Sequence, residues 1–120
     1  MTPLGVKLRA LRAGRGETLK AMAAGIGVSP AYLSALEHGK RGKPTWLLLQ
    51  RIIAHFNVIW DEAEELQRLA GLSAPRVVVD TAQLSPAATE LANRLSREIG
   101  RLADGEIAAI LAILDRAGRS

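Results

Sequence analysis

Apolar residues recur at helical spacing almost from the start of the chain. Leu4, Leu8 and Leu11 fall at i, i+4 and i+7, and Thr2-Pro3 ahead of them supplies a capping hydroxyl and a first-turn proline. Gly14 reads as the stop of this helix. Thr18 opens a short second helix with Met22, Ala23 and Ile26 on one face, closed by Gly27. Ser29-Pro30 repeats the cap-and-proline opening for a third, with Leu33 and Leu36 inward and Gly39 at its end. The polar, basic stretch HGKRGKP that follows predicts an exposed loop. Thr45 caps a fourth helix whose Leu49, Ile52, Ile53 and Phe56 mark a buried stripe, and Asn57 suits the left-handed conformation that ends it. A fifth is expected at about 60–70, its opening acids Asp61, Glu62, Glu64 and Glu65 matching the positive end of the helix dipole. Trp46, Phe56 and Trp60 are expected in the core of these last two helices.

Beyond residue 72 the texture changes. The stretch 73–84 contains Pro75 and the β-branched run RVVVD at 76–80, which reads either as linker or as a short strand. Ser85-Pro86 starts a sixth helix with Ala88, Leu91, Ala92, Leu95, Ile99 and Leu102 on one side. Asp104 is expected to cap a seventh, on which Ile107, Ile110, Leu111 and Leu114 align. The predicted fold is all-α: a helical module over 1–72, a linker or strand over 73–84, and a helical hairpin over 85–120. Two amphipathic helices cannot bury both apolar faces against each other alone. The hairpin is therefore expected either to dock on the fifth helix or to pair with the same hairpin of a second copy. Homodimerisation through Leu91, Leu95, Ile99, Leu102, Ile107, Ile110, Leu111 and Leu114 is the favoured reading.

Charge sharpens the division. Residues 1–60 carry nine Lys/Arg against only Glu17 and Glu37, a net +7, whereas residues 61–120 carry seven arginines against ten acids, a net −3. Such polarity suggests a basic face for a polyanion at one end and a different task at the other. The chain has no cysteine, which excludes disulfides, thiolate zinc sites and thiol nucleophiles and suits a cytoplasmic protein. His38 and His55 are too few and too separated to nucleate a metal centre, so no metal is expected. The apolar runs are too short to span a membrane, and the basic N-terminus lacks the apolar core of a secretory signal. Catalytic constellations and glycine-rich phosphate loops are missing from the sequence, so neither enzymatic activity nor a cofactor is expected.

The sharpest local signal is the set Ala23, Gly27, Val28, Ser29, Leu33, Leu36, Glu37 and Gly39 at their mutual spacings. Ala23 lets the second helix touch the third. Gly27 permits the positive φ of a tight interhelical turn, Val28 plugs the angle between the helices, and Ser29 caps the second of the pair. This is how a chain builds two steeply crossed helices whose outer face can enter a DNA major groove.

At these residues the chain resembles the Cro/repressor-type helix-turn-helix family, the lambda-repressor-like or xenobiotic-response-element family. The segment TLKAMAAGIGVSPAYLSALEHGKRGKP at 18–44 covers its signature, and the likeness extends across 4–70. The resemblance implies a five-helix fold and double-stranded DNA as partner. It also implies an ion pair between Arg12 and Glu37 that sets the angle of the recognition helix, DNA contact at the Ser29 cap, and base reading through the first residues of the third helix, Pro30, Ala31 and Tyr32, with Ser34 and Ala35 further along.

On that face only the Ser34 and Tyr32 hydroxyls donate hydrogen bonds, and no Gln, Asn or Arg is available for a bidentate base contact. Readout is therefore expected to use thymine methyl groups against Ala31, Ala35 or Pro30, plus one contact from Tyr32, unless Tyr32 packs against its own module. Leu19 stands where the family commonly carries a glutamine, and Lys20 could take over as phosphate anchor. Lys40, Arg41 and Lys43 are expected to straddle a phosphate backbone or reach a narrow minor groove. His38 could touch a phosphate or satisfy the last carbonyls of its helix. The expected function is a transcriptional regulator, a repressor binding a pseudo-palindromic operator as a homodimer. The rival expectation is an interaction protein, such as an antitoxin, whose hairpin grips a partner protein.

Overall fold

The computed structural model describes residues 1–119, which form seven α-helices and one 3-10 turn. They fall into two compact units, Met1–Val77 and Val78–Ser120. No single helix is long and apolar enough to cross a membrane.

The first unit holds α1 (Pro3–Arg15), α2 (Leu19–Ile26), α3 (Pro30–Glu37), α4 (Trp46–Phe56) and α5 (Asp61–Gly71). Local chemistry starts most of them. Thr2, Thr18, Ser29 and Thr45 each accept from the backbone N–H three residues on, at 3.0–3.2 Å, which satisfies a donor that the first turn would otherwise leave free. The first helix runs two residues beyond the expected stop. Gly14 stays helical, and Gly16 takes the left-handed conformation (φ 63°) while the Gly16 and Glu17 N–H groups return to the Ala13 and Arg12 carbonyls.

The core draws on all five helices of this unit: Leu4 and Leu8 from α1, Met22 and Ile26 from α2, Leu33 from α3, Ile52 from α4 and Leu66 from α5 are almost wholly enclosed. The first helix packs on α3 and α5, while α2 packs on α3 and α4. Gly5 permits the close approach of α1 to the end of α3, because a Cβ there would fall on the Glu37 backbone carbonyl. That carbonyl accepts from the Thr2 N–H at 3.0 Å. The unit also extends past α5, since Ser73 is buried, accepting from the Leu4 N–H at 2.9 Å and donating to the Leu69 carbonyl at 2.6 Å.

Two aromatic expectations are corrected. Phe56 is buried, but Trp46 and Trp60 are 73% and 80% exposed. Trp46 begins α4 off the stripe made by Leu48, Leu49, Ile52 and Phe56, and Trp60 precedes the buried positions of α5 as its N-cap, with φ 52°.

In the second unit Ser85 caps α6 (Pro86–Glu98), a 3-10 turn spans Ile99–Arg101, and α7 (Asp104–Ala117) follows. Ala103, not Asp104, occupies the N-cap of α7; the Glu106 carboxylate reaches back to accept from the Ala103 N–H at 2.9 Å. The alternative of a strand at 76–80 is overturned. No strand forms among the described residues, and Val77, Val78 and Val79 lie exposed with no second strand to pair their backbone. None of the described residues of this unit is buried. Leu95, Leu102, Ile107 and Ile110 are half-buried, while Leu91, Ile99, Leu111 and Leu114 remain 54–60% exposed. Leu91, Leu95, Leu102 and Ile110 line a groove of about 430 Å³ edged by Glu90, Arg94 and Glu98. Along this edge the Arg94 guanidinium, hydrogen-bonded at 2.9 Å, holds the Glu98 carboxyl below its usual range.

Candidate nucleic-acid interface

The second and third helices meet at a bend of 103°. Three features make the turn that tight. Ala23 is wholly buried at the contact, Gly27 adopts φ 78°, and the Val28 N–H closes back on the Ala23 carbonyl at 3.0 Å. Ser29 then starts α3, its Oγ accepting from the Tyr32 N–H.

The recognition-type helix presents two unlike sides. Leu33, Leu36 and Glu37 are buried, whereas Ser29, Pro30 and Ala31 are exposed and Tyr32, Ser34 and Ala35 are half-buried at the edge. Its far end is tied down from α1. The Arg12 Nη1 meets the Glu37 Oε2, with the two side chains only 11% and 2% exposed. At this end α3 is joined to α1 by that enclosed ion pair and by the Thr2 N–H, which donates to the Glu37 carbonyl at 3.0 Å.

The basic loop is held at both ends. Gly39 (φ 78°) turns the chain back, and the Lys40 and Arg41 N–H groups both approach the Ala35 carbonyl, at 2.9 and 3.4 Å. Pro44 is buried at the other end. Between them Lys40, Arg41 and Lys43 are exposed. The Arg41 guanidinium lies over the Tyr32 ring, 5.6 Å from its centroid, and that ring itself packs against the core. His38 donates from Nδ1 to the Ser34 carbonyl at 2.8 Å, the capping alternative of the two expected for it.

The acids of the first half do not neutralise this loop. Glu37 is engaged by Arg12, and Glu17 by His55 at 2.6 Å and Arg15 at 3.9 Å. Lys20 is exposed in the first turn of α2, while the Leu19 side chain, which carries no donor for a phosphate, packs partly against the core. Two further residues were missed by sequence reasoning. Arg51 of α4 brings its guanidinium beside the Gly27 turn, and Trp46 stands exposed just after the basic loop. Trp46 stands at i, i+3 and i+7 with Leu49 and Ile53, so helical spacing alone would not have placed it outward, and nothing local marks Arg51.

Chemically, the arrangement offers a small, weakly polar helix face flanked by exposed cations on a loop held at both ends, which suits the grooves and phosphates of a duplex. A family model described as a helix-turn-helix domain matches residues 3–69. Over 71 residues the chain is 37% identical to the uncharacterised HTH-type transcriptional regulator RghRB of Bacillus subtilis (strain 168), which covers 59% of this chain and 49% of that protein. The chain therefore spans about half the length of this curated relative. No solved structure matches it. With over half of its residues matched by that model and its α2–turn–α3 geometry intact, the chain belongs to the helix-turn-helix domain family, among the DNA-binding proteins that resemble the xenobiotic-response-element type.

Proposed function

We propose that the chain is a DNA-binding transcriptional regulator, a repressor that acts in the cytoplasm as a homodimer on a pseudo-palindromic operator. One observation carries this reading: the outer face of α3 is open, steeply crossed with α2, and followed by three exposed cations without a carboxylate partner among the described ion pairs. The relative's description as a transcriptional regulator supports it. The homodimer follows from two considerations. A single α3 has few groups that can read bases, so one copy would bind weakly. The hairpin, with no buried residue described, would gain a core by pairing with its copy and would set two recognition helices one DNA turn apart, roughly 34–36 Å. Repression would come from covering promoter DNA.

The test is a selection from random duplex DNA with the purified chain. An inverted repeat with half-sites about one turn apart is expected, and a pool with no enriched sequence would refute the proposal. Lys43→Ala should weaken binding to all duplexes alike and reduce the slope of log K against log salt by about 0.9 per bound copy, about 1.8 for the homodimer, as loss of one phosphate contact in each protomer requires. A lost preference at one base pair with the slope intact would contradict the phosphate role.

A further inference from the structure

The recognition helix lacks what usually reads guanine or adenine: its outer face carries no Arg, Gln or Asn. The fold supplies a donor to that region from outside the helix. Gly39 reverses the chain, and the Arg41 N–H approaches the Ala35 carbonyl, so residue 41 returns alongside α3 instead of leaving it. Its guanidinium then sits over the ring of Tyr32, a half-buried side chain that packs against the core. Among the described residues Arg41 forms no ion pair, so its N–H donors are not engaged by a carboxylate. An arginine over an aromatic face keeps its in-plane fork available while part of its rotamer freedom is already lost, which lowers the cost of ordering it at an interface. Lys40 and Lys43 have no such platform and would act as point charges.

We propose that Arg41 is a base-reading residue, contacting guanine O6 and N7 through its guanidinium fork beside α3, and that Tyr32 is a positioning residue whose ring, not its hydroxyl, matters. This rests on the DNA-binding reading above and assigns the two side chains differently from the sequence expectation, in which Arg41 met a phosphate or a narrow minor groove and Tyr32 met a base unless it packed against its own module.

The test uses the full chain, the duplex it selects, and variants of that duplex changed at one base pair. The wild-type protein should prefer one guanine in each half-site by about 5- to 150-fold. Arg41→Lys, which keeps the charge, should preserve the salt slope and bring that preference close to one. Tyr32→Phe should behave as wild type, and Tyr32→Leu should lose the same guanine preference with its melting temperature checked in parallel. Unaltered discrimination in Arg41→Lys would overturn the assignment while leaving the regulator reading intact. Equal loss in Tyr32→Phe and Tyr32→Leu would overturn it too, because the hydroxyl would then be the reader. A wild-type chain that selects no sequence would overturn both.

Discussion

Arg12→Ala is expected to destabilise the first unit by about 3–5 kcal/mol, a large share of the roughly 5–15 kcal/mol that holds an ordinary domain together. The reason is burial. An exposed ion pair contributes under about 1 kcal/mol, but the Glu37 side chain is only 2% exposed, and without Arg12 its carboxylate stays out of water with no cation beside it. The loss reaches function because Glu37 is the last residue of α3 and its carbonyl also receives the Thr2 N–H. DNA affinity should therefore fall together with stability. Denaturant unfolding of the full chain measures the effect, and the double variant Arg12→Met/Glu37→Leu should recover most of it, since an apolar pair of similar volume needs no solvation. An unchanged midpoint in Arg12→Ala, or a double variant as unstable as the single one, would contradict the argument.

Removing the hairpin is expected to leave a folded monomer. Every residue of the buried core lies within residues 1–77, including the Ser73 that braces α1, so that fragment keeps its packing. Light scattering should report one copy for the fragment and two for the full chain. Affinity for an inverted repeat should drop by roughly 10²–10⁴-fold, because the second recognition helix no longer binds as part of the same particle. Binding to a single half-site should change little. The full-length double variant Leu91→Asp/Leu111→Asp should reproduce the result, as both residues are more than half exposed in one copy and a dimer would have to enclose their new charges. A dimeric 1–77 fragment would place the interface elsewhere. A monomeric full chain that purifies with a stoichiometric small protein would instead favour the protein-gripping role for the hairpin.

Much of the first unit was legible because its signals are local. The hydroxyls of Thr2, Thr18, Ser29 and Thr45 bond three residues along the chain, so each helix start is written beside itself. Gly27 and Asn57 likewise mark stops through their own positive φ. The Gly14 expectation failed because two glycines qualified, and the choice went to Gly16, whose position lets two N–H groups return to α1. In the site, the α2–α3 turn was readable from spacing, whereas the Arg12–Glu37 pair, 25 residues apart, came only through family resemblance.

The sequence by itself determined the helical elements of the first unit, the steep turn between α2 and α3, and the excess of positive charge around it, because periodicity, caps and composition act over a few residues. Tertiary structure alone decided that Trp46 and Trp60 face outward, that Ser73 braces α1, that Arg41 folds over Tyr32 and that the valines at 77–79 form no strand. Each of these depends on which distant surfaces meet, and on whether a partner backbone is there to receive a segment, which no local pattern encodes.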